Sequence, residues 1–128
     1  MYLRLNEKMG YDVPTNLGVA YELETKYKKK INKILVEAED YTIEQMCKIM
    51  FVAIARKDKS AKFDEFFDNI LYSGLSVIDI QKEFGVFLRL LVSNDKTEDE
   101  IRAEIEKDIE EEVNNQEQNI PETLDEKN

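Results

Sequence analysis

The chain has 128 residues, one cysteine, no histidine and no tryptophan, with 42% hydrophobic and 36% charged residues. That length fits one domain, and only four glycines and two prolines argue for helices over a turn-rich β fold. Without histidine, and with Cys47 alone, the ordinary zinc sets and the Cys–His or Ser–His nucleophile pairs are excluded, as is an internal disulfide.

The net charge of −10 is unevenly spread. Residues 1–95 hold 15 acidic and 14 basic residues, whereas residues 96–128 hold 13 acidic and 4 basic. The first part is therefore near neutral at −1, and the last part carries −9. Such an end favours solubility and repels nucleic acid and anionic membranes.

In chain order, Tyr2–Leu5 and Tyr11–Val13 read as two short strands around a turn at Asn6–Gly10. Such a hairpin is stable only if it packs on something else. Pro14–Thr15 opens a helix capped by Thr15 or Asn16, with Leu17, Ala20, Tyr21, Glu24, Tyr27, Ile31, Ile34 and Leu35 at helical spacing. Gly18 weakens its start, and Lys26, Lys28, Lys29, Lys30 and Lys33 make a solvated basic face.

Thr42 and Gln45 form a capping box for the next helix. From Met46 to Ala55 only Lys48 is polar, so residues 43–56 belong at the centre of the domain. A third helix opens at Ser60 or Lys62, presents Phe63, Phe66, Phe67, Ile70 and Leu71, and stops at a left-handed Gly74. Ser76 and Asp79 then cap a fourth, with Val77, Ile80, Phe84, Phe87, Leu88 and Leu91 inward.

Thr97 and Glu100 form another capping box that starts a last helix, in which Ile101, Ile105, Ile109 and Val113 recur every fourth residue among acids. That stripe is narrower than the usual bundle face, so this helix is expected to dock lightly or wait for a partner. From Asn114 the composition predicts disorder. The expected fold is thus mainly α: a compact domain of four to five helices over residues 1–95, with a short N-terminal hairpin. A marginal acidic helix over 96–113 and a disordered tail over 114–128 follow it.

No spacing points to an active site, a cofactor or a metal. Glu22 with Glu24, or Asp64 and Glu65 with Asp68, would pair as general acid and base, but solvated helix faces produce such pairs routinely. The first residues lack an apolar signal core, and no apolar run approaches the roughly 20 residues of a membrane span. A cytoplasmic interaction protein is the expectation, without nucleic-acid or membrane partners. The lysine clusters 26–33 and 56–62 also offer a surface on which the acidic tail, its own or another copy's, would lie.

The succession of Tyr2-Leu-Arg-Leu with Tyr11-Asp-Val-Pro, then Val19-Ala-Tyr-Glu-Leu-Glu24, then Thr42-Ile-Glu-Gln-Met with Ile49-Met-Phe-Val-Ala-Ile-Ala, then Phe63-Asp-Glu-Phe-Phe with Leu71-Tyr-Ser-Gly-Leu, resembles the tail assembly chaperones of long-tailed bacteriophages. The resemblance covers about residues 1–95. It implies a non-enzymatic protein of the bacterial host cytoplasm, absent from the mature virion, that coats the helical tape measure protein while tail tube subunits polymerise around it. It also implies that this chain is a short form, with a frameshifted long form recruiting the tail tube protein. Homo-oligomers are left open.

Such a holder needs exposed apolar surface. Phe51, Phe63, Phe67 and Phe87, where not buried, together with Ile101, Ile105 and Ile109, are the candidate partner-binding residues. The competing readings are an acidic inhibitor that mimics DNA on a basic host protein, and a regulatory or antitoxin-like partner.

Overall fold

A computed structural model describes the backbone of every residue except Asn94 and Asn128, and the side chains of residues 1–112 apart from Asn94. The disordered tail expected over 114–128 falls on residues whose side chains lie outside the described ones.

The chain begins with an antiparallel hairpin, β1 (Tyr2–Arg4) and β2 (Gly10–Asp12), in which Leu3 faces Tyr11. Its turn is built by Asn6, whose Oδ1 accepts the N–H groups of Lys8 at 2.8 Å and Met9 at 2.9 Å. Gly10 is required there, because a Cβ on it would lie 2.8 Å from the Leu3 carbonyl oxygen and against the Tyr2 ring. Leu3, Leu5 and Val13 are buried, so one face of the hairpin is part of the core, as a lone hairpin requires.

Six helices follow among the described residues: α1 (Leu17–Tyr27), α2 (Ile31–Val36), α3 (Ile43–Lys57), α4 (Phe63–Leu71), α5 (Val77–Val92) and α6 (Glu98–Lys127). A 3-10 turn at Ala38–Asp40 joins α2 to α3. Helices α3 and α5 pack side by side at the centre. α1 and α4 lie against α3, and α2 and α6 lie against α5. Seven residues of α3 are buried, consistent with its apolar run.

Two of the three predicted capping boxes form; at the third, Thr97 Oγ1 accepts the Glu100 N–H at 3.2 Å, but the Glu100 carboxylate takes the Thr97 hydroxyl in place of its N–H. Thr42 Oγ1 accepts the Gln45 N–H while the Gln45 side chain accepts the Thr42 N–H, and Ser76 and Asp79 do the same. Asn16, one of the two expected caps, accepts the Val19 N–H at 3.0 Å.

Three expectations are corrected. The long helix through Leu35 is two helices. Lys28 adopts a left-handed backbone (φ 54°), and the Glu24 carboxylate accepts the Ile31 N–H at 2.9 Å to start α2. That break turns Ile31 and Ile34 into the core. Secondly, α4 does not stop on a left-handed glycine, since no described glycine has positive φ. Ser73 ends it instead: its hydroxyl donates to the Ile70 carbonyl at 2.6 Å and accepts the Leu75 N–H at 3.2 Å, a local alternative to helix bonding.

Thirdly, the start of α6 docks firmly. Ile101 and Ile105 are 1% and 6% exposed and close over Val86 of α5, forming a second apolar cluster beside the main core. Acids that would repel along α6 are met by bases on other elements: Lys82 pairs with Glu106, Arg89 with Asp108 and Lys96 with Glu104. Arg102 reaches Glu83 at 2.5 Å and Glu98 at 3.0 Å, and donates to the Tyr2 carbonyl at 3.2 Å, so α5, α6 and the hairpin are tied at one point.

Cys47 is buried, and burial pushes its thiol up to about 11. The native state thus holds this proton more tightly than the unfolded chain, whose thiol titrates near 8.5. The stabilisation is complete below that value and is lost as pH rises through about 11. At pH 8 a disulfide reagent is expected to label the native protein at least about a hundredfold more slowly than the urea-unfolded chain, because reaction requires an opening. Equal rates would show that Cys47 is reached without opening.

Candidate interaction surface

Helix α1 does not bury the face that its spacing indicates. Val19, Ala20 and Leu23 point into the core, while Leu17 and Tyr21 are 85% and 69% exposed. Helix α3 packs beside α1 here. Arg56 rests on the α1 backbone at Gly18, where a Cβ would stand 2.6 Å from its guanidinium, and pairs with Glu22 at 3.4 Å.

The Leu17–Tyr21 edge forms one wall of a groove of about 660 Å³. The start of α2, at Lys30, Ile31 and Asn32, and the end of α5, at Leu91 and Val92, complete it. Its size falls in the range of ordinary binding clefts, and six of its ten lining residues are apolar, the Tyr21 ring among them. Val92 is also exposed, so the opening is bordered by apolar side chains from two helices.

Two further apolar areas exist. Leu71, Tyr72, Val77 and Ile78 are exposed at the corner between α4 and α5, although Leu71 and Val77 were expected to face inward. Between α3 and α4, Phe63 stacks on Phe67 with centroids 5.3 Å apart and meets Phe51 edge-on at 5.6 Å. These three rings are half-buried, and the Lys48 ammonium lies 5.9 Å from the Phe63 ring centre.

The residues singled out from sequence therefore divide. Phe51, Phe63 and Phe67 come together on one partly open face. Phe87 is fully buried in the main core. Ile101 and Ile105 are spent on α5, with Ile109 half-buried at the edge of the same cluster. The groove residues Leu17, Tyr21, Ile31 and Val92 were not proposed as a binding surface. The only signal for them was the excess of apolar residues on α1, whose positions 17, 19, 20, 21 and 23 are too many for one buried stripe.

No family model, curated protein or solved structure matches this chain.

The polar chemistry near the groove is structural. Glu24 is occupied by the Ile31 N–H and Glu22 by Arg56, so the carboxylate pair on α1 serves packing. Glu37 accepts from Lys29 at 2.9 Å and from the Tyr41 hydroxyl at 3.2 Å, and the Lys29 ammonium holds its carboxyl below the usual range. Among the described residues no cluster of three or more His, Cys, Asp or Glu side chains is placed to hold a metal ion, and no helix is long and apolar enough to cross a membrane.

Proposed function

We propose that this chain is a holder of apolar helices, and specifically a phage tail assembly chaperone that keeps the tape measure protein soluble during tail assembly. The observation that carries the reading is the open apolar groove, in which Leu17 and Tyr21 are left uncovered. Contiguous exposed apolar surface of this kind marks sites of protein association. The order of elements over residues 1–95, through its resemblance to the chaperone family, supports the choice of the tape measure protein as partner.

A holder works by laying an apolar helix face into an apolar groove while charge elsewhere keeps the complex in solution. The groove offers the first and the acidic C-terminal quarter, residues 96–128, the second. A rigid acidic mimic of DNA fits less well, because Glu104, Glu106 and Asp108 are engaged by Lys96, Lys82 and Arg89 of the same chain.

Co-expression with a helical segment of the tape measure protein from the same genome tests this. The native chain is expected to keep the segment soluble and to co-elute with it. The pair Leu17→Glu and Tyr21→Glu is expected to lose at least about 90% of the soluble segment with the fold intact, since exposed substitutions usually change stability by only about 0.5 kcal/mol. Precipitation of the segment with the native chain would refute the chaperone reading. Full retention by the double variant would move the surface to the Phe63–Phe67 face.

A further inference from the structure

The groove has a charge as well as a shape. Residues 26–33 contain five lysines and no acid, in a chain whose net charge is −10. Lys29 is neutralised by Glu37. Lys28, Lys30 and Lys33 are exposed, and none forms an ion pair among the described residues. Lys30 lines the groove itself, Lys28 stands at the left-handed turn between α1 and α2, and Lys33 lies three residues beyond Lys30 on α2. The lining carboxylate, Glu24, accepts the Ile31 N–H and keeps its charge, but Lys28, Lys30 and Lys33 outnumber it.

We propose that this groove takes an amphipathic helix whose apolar stripe is flanked by acidic residues, the stripe seating against Leu17, Tyr21, Ile31 and Val92 and the acids facing Lys28, Lys30 and Lys33. The proposal rests on the reading of the chain as a helix holder and names the chemistry of what is held. A second copy of this chain is disfavoured as the occupant, because α6 already commits Ile101, Ile105 and Ile109 to α5. Charge pairing at the rim selects the partner and speeds encounter, while the apolar stripe supplies most of the hold.

The test uses two designed peptides of about 18 residues, long enough for five helical turns. Both carry the same leucine stripe, one flanked by glutamates and the other by lysines, and binding to the full chain is read by fluorescence anisotropy. The glutamate peptide is expected to bind at least about tenfold more tightly at low salt, with the difference closing near 0.5 M salt as screening takes over. The triple variant Lys28→Glu, Lys30→Glu, Lys33→Glu, checked for an unchanged helical spectrum, is expected to reverse the preference.

Equal or tighter binding of the lysine peptide overturns the proposal, as does a preference unmoved by the triple variant. Concentration-dependent dimers that vanish on removing residues 113–128 would place a second copy in the groove and also overturn it. If neither peptide binds, the acidic-helix proposal fails while the holder reading stands or falls separately on the co-expression result.

Discussion

Phe66→Ala is expected to destabilise the protein by about 3–5 kcal/mol, a large part of the 5–15 kcal/mol that holds a domain of this size together. Phe66 is 2% exposed on α4. Its ring meets Tyr11 of the hairpin edge-on at 4.9 Å and lies 5.5 Å from Phe51 on α3. Truncation leaves a cavity at the point where hairpin, α3 and α4 converge, and removes aromatic pairs worth about 0.5–1.5 kcal/mol each beyond their area. Tyr11 has a second anchor, since its hydroxyl accepts from the Asn69 side chain at 2.7 Å. The hairpin should therefore loosen rather than detach. Urea unfolding followed by circular dichroism measures the loss, and a value below about 1 kcal/mol would mean that the site collapses to fill the space.

The second large effect concerns α6. Deleting residues 97–128 is expected to leave a folded domain that is less stable by roughly 2–4 kcal/mol. The figure follows from re-exposing Val86 and losing Ile101 and Ile105, at about 1.5–3 kcal/mol per buried aliphatic side chain, less the ordering cost that the helix no longer incurs. The main core does not include Ile101 or Ile105, so cooperative unfolding should survive the deletion. Arg102→Leu in the full chain isolates the polar part. It leaves Glu83 half-buried without its partner and frees the Tyr2 carbonyl, at a cost of about 1–3 kcal/mol. The surface pairs Arg89–Asp108 and Lys96–Glu104 should matter little, as exposed pairs usually contribute under about 1 kcal/mol. Thermal scans of both variants decide this, and a deletion that abolishes cooperative unfolding would make α6 part of the main folding unit.

Much of the fold was legible because its signals are local. A capping box at Thr42–Gln45 or Ser76–Asp79 spans three residues, and the apolar run in α3 declares its burial without reference to other elements. The break at Lys28 was not legible, because the apolar spacing runs on through Ile31 and the Glu24 cap bridges seven residues. The docking of α6 was under-read for a related reason. Its acids look repulsive in sequence, and the bases that balance them, Lys82 and Arg89, sit on α5.

The groove was hidden more deeply. Its walls come from residues near 17–24, 30–32 and 91–92, stretches that only the fold brings together. Periodicity alone assigned Leu17 and Tyr21 inward. Only tertiary packing decides between that face and the Val19–Leu23 face, and it chose the latter.

The central claim is that the Leu17–Tyr21–Val92 groove is where a helical partner is held. The most direct measurement is a titration of the isotope-labelled chain with the tape measure segment, followed by amide and methyl resonances. The account predicts that the largest shifts fall on Leu17, Ala20, Tyr21, Ile31 and Val92, with Phe63, Phe67 and the α4–α5 corner little changed. Shifts centred on Phe51, Phe63 and Phe67, or none on the groove at saturating segment, would contradict it.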